Sequence, residues 1–118
     1  MSEQTQLGKI EISPTAIATL AAQAVLQSYG VVGMAPSNLA DELMTALGEA
    51  AHRGVQVRVE GDHVQIDLYV VVEYGTRISS VAHSIMNVVR YTVEKALGVP
   101  VAQVNVHVQG LRVSNRDV

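Results

Sequence analysis

The segment YGTR, from Tyr74 to Arg77, lies where an apolar run ends and a helical pattern begins. Many phosphate-binding sites begin in this way, because the free amides at a helix N-terminus attract anions. Dinucleotide loops and P-loops need several glycines or a glycine-rich turn that ends in Lys-Ser/Thr. A single Gly75 before Thr76 instead predicts a plain strand-to-helix turn, and it leaves Arg77 as the residue of this segment that stays open to a binding role.

A second candidate, GVVG at residues 30–33, matches the GxxG loop with which KH domains clamp a nucleic-acid backbone. That loop meets phosphates, so polar or basic central residues are expected, whereas Val31 and Val32 favour burial. The net charge of −3 also gives no general affinity for nucleic acid. No nucleic-acid partner is therefore expected, and a KH-like RNA-binding module is the less favoured alternative.

The chain offers few groups for metal binding, since it has four histidines and no cysteine. The histidines, His52, His63, His83 and His107, form no HxH or HExxH pattern. His63 and His107 fall on the same face of the predicted sheet, but two imidazoles without a third ligand are more typical of solvated side chains. The sequence predicts no metal and no cofactor, and the lack of cysteine fits a reducing cytosol.

Carboxylates recur around a predicted hairpin, at Glu60, Asp62, Asp67 and Glu73. A general acid–base pair needs two groups that converge in a cleft. Nothing in the pattern predicts a cleft, so these side chains are expected to face solvent. Serines 79, 80 and 84 lack the G-x-S-x-G elbow of a nucleophile. The sequence therefore predicts no catalytic residue and no enzyme.

The elements that position these residues start with a short strand, GKIEI, whose Ile10 and Ile12 face inward. Ser13 and Pro14 predict the start of a helix, and Gly30 suits a left-handed C-terminal cap. The helix has one apolar stripe, formed by Ile17, Leu20, Ala21, Ala24 and Val25.

A second, short helix is predicted between Asn38, its cap, and Gly54. Its apolar seam consists of Leu39, Leu43, Leu47 and Ala50. Residues 55–60 and 63–74 then alternate and predict a long antiparallel hairpin. Its inward side chains are Val55, Val57, Val59, Val64, Ile66, Leu68, Val70, Val72 and Tyr74. Its outward side chains are Gln56, Arg58, Glu60, His63, Gln65, Asp67, Tyr69, Val71 and Glu73.

The last predicted helix begins at a Thr76 cap and ends at Gly98 and Pro100. Its buried stripe comprises Ile78, Val81, Ala82, Ile85, Val88, Val89, Val93 and Ala96. A closing strand follows, with inward Val104, Val106 and Val108 and outward Asn105, His107 and Gln109.

The resulting order, β-α-(α)-β-β-α-β, predicts an α+β fold. Each strand has one apolar face. A two-layer α/β sandwich, with one mainly antiparallel sheet and helices on a single face, therefore buries every apolar stripe. The order also matches the ferredoxin-like βαββαβ pattern. With 118 residues, 48% of them apolar, the chain predicts a single domain over residues 8–113, with flexible tails at 1–7 and 114–118.

Two outward residues of the hairpin, Tyr69 and Val71, depart from its polar face. Apolar side chains at the centre of a sheet indicate a surface that is covered by another chain or by residues 36–52. Singly exposed apolar residues explain them equally well. The sharper hypothesis is a homo-oligomer interface that includes Tyr69 and Val71, with Arg77 as a further candidate for the interaction surface.

Several short segments occur in an order and spacing that are specific when taken together. They are GKIEIS near the start, VVGM at 31–34, Gly54-Val55, Tyr74-Gly75 with Ile78, and VNVHV at 104–108. With them, residues 8–111 resemble the bacterial alkaline shock protein (envelope stress response) family. The resemblance implies a small, non-enzymatic cytosolic protein that is linked to cell-envelope stress. Some members of the family are located near the membrane through a membrane-anchored partner, and some are linked to fatty-acid and phospholipid metabolism. The chain lacks the long charged tails of some members, so docking through such tails is not implied.

The N-terminal sequence has no signal-peptide pattern, and no apolar run approaches the ~20 residues that cross a bilayer. We therefore expect a cytoplasmic protein without direct membrane insertion. The hypothesis is an interaction protein of the envelope stress response or membrane-lipid homeostasis, which forms a homo-oligomer and binds a membrane-anchored or lipid-metabolism protein. A carrier of a small apolar ligand, such as an acyl chain, is the alternative, although the Val/Ala-rich core favours tight packing.

Overall fold

A computed structural model describes residues 2–36 and 53–113 of the chain. Its strands are β1 (Ser2–Gln4), β2 (Lys9–Glu11), β3 (Val31–Met34), β4 (Val55–Glu60), β5 (His63–Glu73) and β6 (Val101–Arg112). Its helices are α1 (Pro14–Leu26) and α2 (Ile78–Leu97). The short helix predicted between Asn38 and Gly54 lies outside the described residues.

The long strand β5 is the centre of the main sheet. β4 pairs antiparallel with its first half, from Glu60 opposite His63 to Val55 opposite Leu68. β3 pairs antiparallel with its second half, and β6 runs parallel along its other edge. The predicted fold class is confirmed, because a mainly antiparallel sheet packs both described helices on the same face.

The core between the sheet and the helices is built from small and medium aliphatic side chains. The five inward residues of β5 are all fully buried: Val64, Ile66, Leu68, Val70 and Val72. The helices contribute the centres of their predicted stripes: Ile17, Ala21, Ala24 and Val25 from α1, and Val81, Ile85, Val89 and Val93 from α2. Because α1 presents mainly alanines, it can lie close to its neighbours, which suits a core without large aromatic residues.

Helix α1 begins as predicted and ends earlier than predicted. The Ser13 hydroxyl accepts a hydrogen bond from the Ala16 amide at 3.1 Å, and Pro14 occupies the first turn. Gln27, not Gly30, is the C-cap. Gly30 does have a left-handed φ of +87°, but it lies in the turn before β3, where a Cβ would come within 2.8 Å of a Val81 methyl. Its role is close packing against α2 rather than capping of α1.

Helix α2 ends at Gly98, which has the predicted left-handed conformation (φ +67°). The predicted Thr76 cap is wrong. The Thr76 hydroxyl donates instead to the Glu73 carbonyl at 2.7 Å, and Arg77 is the N-cap residue without a side-chain cap. The Thr76 side chain therefore stabilises the turn around Gly75 rather than the start of the helix. Neither described helix has the length and apolarity that a membrane crossing requires.

Several residues predicted to face inward are exposed. Ile10 is 56% exposed, because β2 pairs with β1 in a separate two-stranded ribbon rather than joining the main sheet. Tyr74 is 63% exposed, since β5 ends one residue before it. Further departures lie at the ends or edges of the apolar stripes, where covering elements run out: Val59, Ile78, Val88 and Ala96.

The connection from β5 through α2 to β6 corrects the ferredoxin-like expectation. A split βαβ unit leaves room for a strand between its two parallel strands. Here β6 is hydrogen-bonded directly to β5, and the first strands of the chain stay outside this sheet. The parallel pair is therefore an unsplit βαβ unit.

Gly54 allows β3 and β4 to meet end to end along one edge of β5. Its φ is +78°, and a Cβ there would lie 2.6 Å from the Ala35 carbonyl oxygen and 2.9 Å from that of Tyr69. The Tyr69 amide donates to the Gly54 carbonyl at 2.8 Å, and the Ala35 amide donates to the Tyr69 carbonyl at 2.9 Å. The junction therefore holds both the amide and the carbonyl of Tyr69 on this edge of β5.

Candidate interaction surface

The outward side of the main sheet carries no helix in the described part of the chain, and we call it the open face. Alternate residues of β4, β5 and β6 form it, with Gly33 contributed by β3. Its side chains are Gln56, Arg58, Glu60, His63, Gln65, Asp67, Tyr69, Val71, Glu73, Gln103, Asn105, His107 and Arg112. Most of these residues are polar, yet many are half-buried, because neighbouring strands bring them together.

Asp67 is the centre of the open face and is only 6% exposed. Its Oδ1 accepts hydrogen bonds from Asn105 Nδ2 at 3.0 Å and from His107 Nε2 at 3.2 Å, both on β6. Arg58 Nη2, from β4, lies 3.5 Å from Oδ2. The carboxylate thus ties three adjacent strands together, and its hydrogen-bonding capacity is taken up within the sheet.

The environment of Asp67 sets its charge state. Burial by itself raises the pKa of this carboxyl, but the hydrogen bonds from His107, Asn105 and Arg58, with the charge of His107, outweigh burial and lower the pKa below its ordinary value of 3.8. Asp67 therefore stays ionised at neutral pH. Such a carboxylate stabilises the sheet and is poorly suited to act as a general base.

Next to Asp67 along β5, the ring of Tyr69 stacks on the imidazole of His107. The ring centroids are 4.5 Å apart and the planes differ by 11°. Tyr69 and His107 are register partners on β5 and β6, which explains the near-parallel stacking. The two rings form a flat aromatic ridge across the open face.

One row beyond this ridge, the side chain of Val71 stands between two glycines. Val71 has Gly33 of β3 as its partner on one side and Gly110 of β6 on the other. We call this row of Gly33, Val71 and Gly110 the notch. A ridge and a notch therefore lie side by side on the open face.

The predicted site residues fall on two different faces of the molecule. Tyr69 and Val71 are neighbours on the open face, whereas Arg77 lies at the start of α2, on the helix side. Arg77 lines a cavity of about 170 Å³ together with Tyr29, Ser80, Val81 and Ser84. A second cavity of about 180 Å³ lies beside α1 and β4. Both are smaller than the roughly 300–1,000 Å³ of typical ligand pockets.

The expectation that Asp67 faces solvent is wrong. His107, expected to be a solvated imidazole, keeps 41% of its side chain exposed but is also hydrogen-bonded to Asp67. Register places Arg58, Asn105 and His107 around the carboxylate, which excludes water from it. His63 shares the open face with His107 but is six residues away along the sheet, about 20 Å. In residues 2–36 and 53–113, no three histidines or carboxylates come together as metal ligands would.

These features define a small α+β protein with a helix-covered face and an open sheet face that has a polar and aromatic centre. The family model of alkaline shock protein 23, described as having a cell envelope-related function, matches residues 2–113. The chain therefore belongs to the alkaline shock protein family, as its motifs suggested.

Relatives of similar length support this assignment. YloU of Bacillus subtilis (strain 168) is 46% identical over 114 residues, which cover 95% of each chain. Spy1614 of Streptococcus pyogenes serotype M6 is 35% identical over 111 residues and 92% of each chain. Among solved structures, the copper form of the MamM CTD has a TM-score of 0.50 at 16% identity and covers 87% of this chain and 89% of its own. That likeness concerns the fold.

Proposed function

We propose that this chain is a non-enzymatic interaction protein of the cell envelope, working from the cytoplasmic side of the membrane. It self-associates and binds a membrane-linked protein of the envelope stress response or of membrane-lipid homeostasis. The observation that carries the proposal is the open face, whose centre combines an aromatic stack and an apolar side chain with a charge cluster. Aromatic and arginine side chains within a polar rim are typical of protein interfaces.

The geometry favours binding over catalysis. Asp67 and His107 are hydrogen-bonded, as in many catalytic pairs, but they lie on a flat sheet surface with Tyr69 rather than a nucleophile beside the imidazole. The carboxylate is also already engaged by Asn105, His107 and Arg58. A catalytic pair needs a cleft that positions substrate and excludes water, and the open face offers a platform instead.

Two members of this surface, Tyr69 and Val71, are the residues through which we propose that contact is made. Val71→Glu places a charge at the centre of the open face without disturbing the core. Val88→Glu is a matched control, because Val88 is 39% exposed on α2, on the other side of the molecule.

The test is affinity purification of tagged wild-type protein and both variants from native cells, with mass-spectrometric identification of co-purifying proteins. We expect the wild type and Val88→Glu to retain the same membrane or lipid-metabolism proteins, and Val71→Glu to lose them. Circular dichroism checks that both variants fold. The proposal fails if the wild type retains no envelope or lipid-metabolism protein and is strictly monomeric at high concentration.

A further inference from the structure

The notch contains two glycines for which the described part of the chain shows no conformational or steric need. Gly33 and Gly110 each follow a β-bulge, but neither has the positive φ that would demand glycine. A Cβ at Gly33 would meet no heavy atom of the described residues within 4 Å. A Cβ at Gly110 would meet the Val71 methyls at 3.9 Å, an ordinary contact distance. With respect to residues 2–36 and 53–113, larger side chains would fit at both positions.

Glycine is unfavourable within strands, because it loses more backbone freedom on folding and packs no side chain. Placing one on each side of Val71 leaves a shallow depression on both sides of the Val71 side chain, in a row that is about 10 Å long across three strands. Strand glycines often mark a position where another backbone or a ligand approaches closely. The notch therefore indicates that something packs across the open face at this row.

The neighbouring ridge has the shape that would pack against the β6 side of the notch. The Tyr69–His107 stack lies about 7 Å from the notch along the strands and crosses β5 and β6, so it matches the Val71 and Gly110 positions and does not reach Gly33 on β3. A two-fold axis parallel to the sheet and perpendicular to the strands, midway between the ridge and the notch, relates two copies that pack face to face. This axis places the ridge row of each copy over the notch row of the other copy, so the surface is self-complementary.

We propose that two copies of this chain form a symmetric dimer through their open faces, with each Tyr69–His107 stack seated in the notch of the second copy. The inference rests on the self-association proposed above and specifies its surface and geometry. In this dimer His107 lies over Gly110 of the second copy, and Tyr69 lies over Val71. A side chain at Gly110 would collide with the imidazole.

The same axis brings opposite charges together. Because Asp67 and Glu73 each lie one row beyond the ridge and the notch, the axis places the Asp67 row of one copy over the Glu73 row of the other. Arg58 reaches over Asp67, at 3.5 Å, with its side chain still 65% exposed. Its guanidinium therefore faces Glu73 of the second copy. Arg112, the β6 partner of Glu73, lies in the same row. The two cations together offset the repulsion between the carboxylates of Asp67 and Glu73, and the arrangement occurs twice in the dimer.

The overlapping area is small. Four rows, from Asp67 to Glu73, on three strands measure about 27 Å by 14 Å, or roughly 400 Å² per copy before side-chain relief. A total of about 800 Å² lies in the range of weak, transient interfaces. We therefore expect a dimer that forms at high local concentration, as on a membrane-linked partner, and that dissociates on dilution.

The first test fills the notch. Gly110→Val is compared with Ala102→Val, which adds two methyl groups at an exposed position of the same strand β6, away from the notch. In sedimentation equilibrium from micromolar to millimolar protein, Gly110→Val is expected to raise the dimer dissociation constant at least about tenfold. Ala102→Val is expected to leave it unchanged. Thermal unfolding of the dilute variants shows that the monomer still folds.

The second test reverses one charge. Glu73→Lys puts a cation opposite Arg58 of the second copy and is expected to weaken dimerisation about tenfold, with an effect that shrinks as salt rises. Glu60→Lys makes the same charge change on the open face outside the overlap and is the control. Weakening by both variants alike would indicate net charge rather than this pairing, and would overturn the inference.

Other outcomes separate the inference from the proposed function. A wild-type protein that dimerises while Gly110→Val dimerises equally tightly overturns the ridge-and-notch dimer and leaves the interaction function standing. A wild type that stays monomeric at millimolar concentration also overturns the dimer. If the wild type dimerises but retains no envelope or lipid-metabolism protein in affinity purification, the dimer stands and the partner binding in the proposed function is contradicted.

Discussion

The two faces of strand β5 alternate residue by residue, yet different constraints act on them. On the helix side, Val64, Ile66 and Leu68 are fully buried aliphatic residues that pack against α1 and α2. On the open face, Asp67 and Tyr69 take their environment from β4 and β6 through cross-strand contacts. Burial on the inner face follows from the hydrophobicity of each residue. The contacts that a residue makes on the open face follow instead from the strand register.

The largest expected effect tests the inner face. Leu68→Ala removes a fully buried side chain from the middle of β5 and is expected to lower the free energy of unfolding by about 2–5 kcal/mol. Gln65→Ala, on the half-buried open face of the same strand, should cost less than about 0.5 kcal/mol. Urea unfolding of both variants measures the difference. Equal losses would show that the two faces do not differ as the burial indicates.

An intermediate effect is expected on the open face itself, at Asp67. Replacing the carboxylate with an amide in Asp67→Asn weakens the hydrogen bonds from His107 and Asn105 and removes the attraction to Arg58. We expect a loss of about 1–2 kcal/mol in the free energy of unfolding at neutral pH. Asp62→Asn, at a side chain that is 98% exposed, is the matched control and should have little effect.

The same carboxylate predicts the direction of the pH dependence. The folded state lowers the pKa of Asp67 below 3.8, so the ionised form contributes stability above the unfolded pKa. That contribution is lost as the pH falls from about 4 through the folded pKa. Chemical unfolding between neutral pH and pH 3 should therefore show a smaller acid-induced loss for Asp67→Asn than for the wild type. If the free energy of unfolding falls equally with pH in both proteins, Asp67 is not the source of the acid sensitivity.

The inner face could be predicted from the sequence because its signal is local. Alternation of Val64 to Val72 and the caps at Ser13 and Gly98 each depend on a few neighbouring residues, and the structure confirms them. Two errors on the inward faces, Ile10 and Tyr74, occur where a strand leaves the sheet or ends. Sequence alternation continues past such a point, although the covering helix does not.

The centre of the open face could not be predicted in the same way. Asp67, Arg58 and His107 come from three strands, and nothing in their local pattern says that they meet. Strand order places β6 beside β5, and register then sets His107 against Tyr69. A polar residue on an outward strand position has the same sequence signature whether it is solvated or buried in a network. What the sequence did show was an apolar excess at Tyr69 and Val71.

The smallest expected effect isolates the notch. If Gly110 serves an interface rather than the fold, Gly110→Ala should stabilise the dilute monomer by about 0.4–1 kcal/mol, because alanine restricts the unfolded chain and a Cβ fits without a clash. Gly54→Ala is the contrasting variant and should destabilise it, since a Cβ there would lie 2.6 Å from the Ala35 carbonyl. Thermal unfolding of both at low protein concentration gives the two signs. A loss of stability in Gly110→Ala would mean that the strand itself needs this glycine, and the reason for assigning the notch to a second copy would disappear.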